Sequence, residues 1–126
     1  MGLRVLVIDD DELQLALTRT LLTEAGYAVT STADGPQGID IYREERPDLV
    51  LLDLGLPSMS GISVLQAIRA IDARARVIVL TGYASRESAD EARQNGAMDF
   101  IEKTVSQEVL LEKIRAVINR PDTPVT

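Results

Sequence analysis

The residues with the types and spacing to do chemistry are Asp9, Asp10 and Asp11 in one run, a single Asp53, Thr81, and Lys103. Each follows closely on a short apolar stretch. Gathered carboxylates repel one another unless a cation offsets them, and three of them with a backbone carbonyl and water make the hard oxygen site that Mg²⁺ prefers. Asp53 is then a candidate nucleophile, because a carboxylate can accept a phosphoryl group as an acyl phosphate. The metal and the Lys103 ammonium would neutralise charge on the transferring oxygens, and the Thr81 hydroxyl would donate to a third oxygen. Plainer roles stand beside these. Asp11 suits a helix N-cap, Asp53 a turn residue before Pro57, Thr81 another cap, and Lys103 a solvated charge.

Chemistry needs these side chains in one place, and the apolar pattern provides it. Residues 5–8, 28–30, 49–52 and 77–80 are short runs rich in Val, Ile and Leu, with a weaker fifth run at 98–101. Such runs without clear alternation predict strands buried on both faces, as in a parallel sheet. Between them lie helical stripes. Leu13, Leu17 and Leu21 with Ala16 and Thr20 predict the first, which Gly26 ends; Val64, Leu65, Ile68 and Ile71 predict another, and Leu110, Ile114, Val117 and Ile118 the last. Residues 36–46 and 84–94 are poorer, with Ile39 and Tyr42 in one and mostly alanines in the other, so their burial is expected to be thinner. Strand and helix alternate five times, which predicts a right-handed βαβ series, an α/β fold with helices on both faces of a parallel sheet. Ligands of such sheets sit outside the carboxyl ends of the strands. The acids, Thr81 and Lys103 all fall there.

The 126 residues suffice for one domain, read here as residues 1–120, with 121–126 a tail or the start of a linker. There is no cysteine and no histidine, so disulfides, thiolate metal sites and imidazole bases are all excluded. A net charge of −7 argues against direct nucleic-acid binding. No apolar run approaches the roughly twenty residues of a membrane span, and the start of the chain has no signal-peptide core; a cytoplasmic location is expected.

Four stretches carry a resemblance: VLVIDDDE at 5–12, PDLVLLDLGLPSMSG at 47–61, VIVLTGYAS at 77–85 and GAMDFIEK at 96–103. In this order and at this spacing the chain closely resembles the receiver domain of bacterial two-component response regulators, over about residues 3–119. The resemblance implies a flavodoxin-like, doubly wound sheet of five parallel strands in the order 2-1-3-4-5, flanked by five helices. It implies Asp9 and Asp10 as metal-binding acids, Asp53 as phosphoacceptor, the Gly55 carbonyl as a further Mg²⁺ ligand, Thr81 as switch hydroxyl, Lys103 as the phosphate-contacting lysine, and Phe100 as the aromatic that turns on activation. The implied donor is a sensor histidine kinase or a histidine phosphotransfer protein. The implied target is a downstream effector protein or an output domain. Homodimerisation through the face of the fourth helix, fifth strand and fifth helix occurs in the family, and the sequence does not decide it.

The chain departs from the family pattern at three points. Thr104 stands where most members have a cis proline, and a non-proline cis bond costs about 2.5–4 kcal/mol against about 0.5–1 for proline. Either a trans bond with a rearranged loop or a strained cis bond is expected, which puts the placement of Lys103 in question. Gly82 after Thr81 should loosen that loop. Gly55 offers no side chain over the phosphoryl group, so a short-lived phosphorylated form is expected unless Tyr83 shields it. Two rivals remain at this stage: a phosphohydrolase or phosphotransferase with an aspartyl nucleophile, which typically carries a second acid where Gly55 stands, and a degenerate receiver that binds a partner without phosphorylation.

Overall fold

Ten elements alternate along the chain: β1 (Arg4–Ile8), α1 (Glu12–Glu24), β2 (Ala28–Thr32), α2 (Gly35–Glu45), β3 (Leu49–Leu52), α3 (Gly61–Ile71), β4 (Val77–Thr81), α4 (Arg86–Gln94), β5 (Asp99–Glu102) and α5 (Gln107–Ile118). The computed structural model describes residues 2–82 and 85–121. Tyr83, the helix start expected at Ala84 and the tail at 122–126 lie outside the described residues.

The five strands form one parallel sheet in the order β2-β1-β3-β4-β5. β3 and β4 are buried at every residue, which explains why their sequences are continuous apolar runs. Successive side chains alternate between two faces. Leu6, Ile8, Val50, Leu52, Val77 and Val79 pack under α2, α3 and α4 with Tyr42, Val64, Leu65, Ile68 and Ala92. Val5, Val7, Leu49, Leu51, Ile78 and Leu80 pack on the other face against Leu22 of α1 and Leu110, Ile114, Val117 and Ile118 of α5. Among the described residues no helix is long and apolar enough to cross a membrane.

Each helix opens on a capping side chain that accepts an N–H of the first turn: Asp11, Asp34, Ser60, Ser85 and Ser106. Gly26, with φ of +97°, makes the left-handed stop expected after α1. The far end of α5 is held by Arg76, whose guanidinium donates to the carbonyls of Ile118 and Arg120. α4 is the thinly packed helix, with Ala92 its buried residue.

Two expectations need correction. The stripe of Leu13, Ala16, Leu17 and Thr20 is exposed, with Leu13 at 70% and Leu17 at 50%, and only Leu21 of that set is partly buried. The inward face carries Thr18 and Leu22, with Leu15 at its edge. α1 carries leucines on both sides, Leu13, Leu17 and Leu21 on one and Leu15 and Leu22 on the other, so periodicity alone did not choose a face, and Thr18 can turn inward because its Oγ1 accepts a hydrogen bond from Gln14 Nε2 at 3.1 Å. Second, β2 runs on through Ser31 and Thr32. As an edge strand it needs no continuous apolar run, and its side chains are tied from outside: Arg19 donates to Ser31 at 2.7 Å, and Thr30 to Glu45 at 3.0 Å.

Truncating the side chains of α1 separates the two faces. Leu22→Ala should cost about 2–5 kcal/mol of unfolding free energy in urea, and Leu13→Ala or Leu17→Ala within about 0.5 kcal/mol. Tyr42 gives a pH test. Burial, then the nearby Asp72 carboxylate to which its hydroxyl donates at 3.3 Å, push its pKa from 10.0 to about 12. The folded state holds the phenol proton more tightly than the unfolded one, so this contribution is whole below pH 10 and lost as pH rises toward 12. Wild type should therefore lose about 2–3 kcal/mol more than Tyr42→Phe across that window, measured by urea unfolding at each pH.

Candidate functional site

The sheet order places the first and third strands side by side, with β2 on one flank and β4 and β5 on the other, so the point where strand order reverses lies between β1 and β3. Asp9 follows β1 there and Asp53 follows β3. Their backbones are fixed by the ladder as it runs out: Asp9 N–H donates to Thr32 O at 3.1 Å and Asp53 N–H to Ile8 O at 2.9 Å. Asp9 is 3% exposed, Asp53 7% and Thr81 1%, while Asp10 is exposed. Asp11 sits outside the cluster as the N-cap of α1, accepting from Gln14 N–H at 3.2 Å, the plainer role considered for it.

The two buried carboxylates are held in the same way. One oxygen of each closes a turn with the backbone two residues on: Asp9 Oδ1 accepts from Asp11 N–H at 2.9 Å, and Asp53 Oδ1 from Gly55 N–H at 3.2 Å. The other oxygen of each lies 2.9 Å from the Lys103 ammonium. Sequence reasoning named Gly55 for its carbonyl and small size and missed these backbone donors. The signal was present, since an aspartate at a strand end readily bonds the N–H two residues later.

Lys103 reaches this position across a trans peptide to Thr104, the described residues containing no cis bond. The chain after β5 turns through Val105 N–H to Glu102 O at 3.2 Å, and Lys103 N–H is anchored on Thr81 O at 2.9 Å. Threonine in place of proline thus leaves the ammonium between the acids.

Burial pushes the Asp9 carboxyl upward, more than Lys103 and the Asp11 N–H pull it down. For Asp53 burial also acts upward, but the Lys103 hydrogen bond, the Gly55 N–H and the lysine charge together outweigh it and hold the group below the ordinary carboxylate value. Burial opposes the lysine charge in turn, and the two carboxylates overcome that and hold its pKa up.

Asp9, Asp10 and Asp53 each present an oxygen within 4.8 Å of the others. The donor set is all carboxylate, and three negative charges against one ammonium leave an excess of two. A hard divalent cation fits both features. Val77, Val79 and Thr81 alternate onto one face of β4, and Phe100 pairs with Val79 in register and packs on the same core. Thr81 and Phe100 thus share a face on neighbouring strands.

The model of the response regulator receiver domain matches residues 5–115. The chain belongs to the receiver domain family. This receiver is 35% identical to the chemotaxis protein CheY of Bacillus subtilis over 94% of its own length and all of that protein. Its fold is similar to a CheY-like receiver from Methanospirillum hungatei, with a TM-score of 0.91, 33% identity and coverage of 94% and 95% of the two chains. It is also similar to a CheX–CheY–BeF₃–Mg²⁺ complex from Borrelia burgdorferi, with a TM-score of 0.88, 27% identity and coverage of 94% and 90%. The receiver fold implied by the motifs, in the order 2-1-3-4-5, is the fold observed.

Removing the ammonium leaves burial as the largest remaining influence on both acids. In Lys103→Met the Asp53 carboxyl should titrate at higher pH than in wild type, read from its ¹³C carboxyl resonance.

Proposed function

We propose that this receiver is a phosphoacceptor switch of a two-component system, accepting a phosphoryl group on Asp53 and passing the signal through the face formed by α4, β5 and α5. The observation that carries this reading is the setting of Asp53: buried, and held by the Gly55 N–H on one oxygen and the Lys103 ammonium on the other.

Asp9, Asp10, Asp53 and the Gly55 carbonyl would hold Mg²⁺, which, when bound, neutralises charge on the transferring oxygens. In the step itself an Asp53 carboxylate oxygen forms a bond to phosphorus as the bond from phosphorus to the donor's histidine nitrogen breaks. Lys103 moves with the charge, from carboxylate to phosphoryl oxygen. The new group brings about −1.5 to −2 units of charge and three acceptor oxygens. Thr81 donates its hydroxyl to one of them and vacates space into which Phe100 turns. The response spreads to α4 because little pins it: Ala92 is its buried residue.

The donor is a sensor histidine kinase or a histidine phosphotransfer protein, the target an effector protein or output domain, and the setting the cytoplasm. The Mg²⁺ and BeF₃ of the Borrelia burgdorferi complex support the same chemistry here. Phosphoryl transfer and hydrolysis are then properties of the switch, with no separate substrate turned over.

Incubation with Mg²⁺ and acetyl phosphate should give one phosphoryl adduct by intact mass, absent in Asp53→Asn and after EDTA treatment. Thr81→Ala should keep the adduct and lose the phosphorylation-dependent amide shifts of α4. Steady turnover of a small phosphate-ester substrate would favour an enzyme. The alternative of a phosphorylation-independent binding module predicts neither adduct nor turnover.

A further inference from the structure

Gly61 opens α3 and is buried. Its N–H donates to Leu54 O at 3.2 Å. It does not share the positive φ of Gly26 and Gly96, so its backbone is one that any L-residue adopts. The requirement for glycine is therefore one of space. A methyl group built on Gly61 would overlap Leu54 Cα and lie 2.8 Å from both the Asp53 carbonyl oxygen and Leu54 Cδ2. Two of these neighbours are backbone atoms, which no side-chain rotation can clear. At Gly55, by contrast, an added methyl meets only Asp53 Oδ1 at 3.9 Å.

We infer that Gly61 is a positioning residue for the phosphoacceptor, because its bare Cα is the surface against which the Asp53–Leu54 backbone is seated. One side of this contact must give way to an added carbon. α3 is anchored by Val64, Leu65 and Ile68, each fully buried under the sheet. The strand side is anchored up to Asp53 N–H on Ile8 O. The strain of an added carbon falls between these anchors, on the peptide that links Asp53 to Leu54 and leads directly to Gly55. That segment carries the acceptor carboxylate, the N–H that holds its Oδ1, and the carbonyl assigned to the metal. Gly61 touches none of the reacting atoms. It acts on them through one stretch of main chain.

This inference rests on the reading of the acids as an Mg²⁺ site, and the experiment separates the two. Mg²⁺ is titrated into wild type, Gly61→Ala and Ile114→Ala, following backbone amide resonances, with thermal unfolding of each variant measured alongside. Ile114→Ala opens a cavity on the opposite face and reports what loss of stability alone does. The expected result is saturable binding to wild type, unchanged affinity in Ile114→Ala, and affinity about 10–100-fold weaker in folded Gly61→Ala, the range for a residue that supports ligands from behind. Wild-type affinity in Gly61→Ala, or an equal loss in Ile114→Ala, would overturn the positioning role. If Gly61→Ala does not fold, the wild-type titration decides: the Gly61 amide should move along the same saturation curve as Gly55, and a silent Gly61 amide would overturn the inference. Absence of a saturable response in wild type overturns the metal reading itself.

Discussion

One ammonium group between two buried carboxylates is the constraint around which the functional end of this molecule is arranged. Lys103 comes just past β5, and Asp53 and Asp9 just past β3 and β1. Adjacent strands lie about 4.8 Å apart, so the lysine must reach past β4 to meet them. Only a long, flexible cation does this, and the direction of its stem is set where its own N–H bonds Thr81 O. The sheet order, the trans turn at Thr104 and the burial of Thr81 all serve that reach. Without the cation, two acids this deeply buried would be held apart from charge by desolvation and by each other.

The same economy governs the acids. Each buried carboxylate spends one oxygen on its own backbone and one on the lysine, so its orientation is fixed before any metal or phosphoryl group arrives. Preorganisation of this kind lets the site neutralise incoming charge with little rearrangement. Away from this cluster, Thr81 and Phe100 share a face on β4 and β5, and α4 is fastened chiefly through Ala92.

How much of this was legible in the sequence depended on whether one pattern admitted one structure. β1, β3 and β4 were legible because burial on both faces leaves only apolar residues, and the acids stood out because they interrupt those runs at matching ends. α1 was misread because leucines stand on two sides of the helix, and its inward face includes Thr18, whose hydrogen bond to Gln14 is invisible in a hydrophobic stripe. The end of β2 was missed because an edge strand accepts Ser31 and Thr32. The placement of Lys103 could not be read through Thr104, since the path of a loop depends on backbone contacts such as those to Thr81 and Glu102. The need for glycine at residue 61 was equally hidden: a close approach between two segments leaves no mark in composition.

The side chains that fasten the outer margin of β2 have a further effect. A parallel sheet ends in a row of unpaired amides and carbonyls, a template on which a foreign strand can grow into an aggregate. Here that margin is short, carries Thr30 and Ser31, and is overlain by Arg19 from α1 and Glu45 from α2. A stranger docking along it must first strip two charged groups from their hydroxyl partners. The open rim is thereby made a poorer template for a further strand.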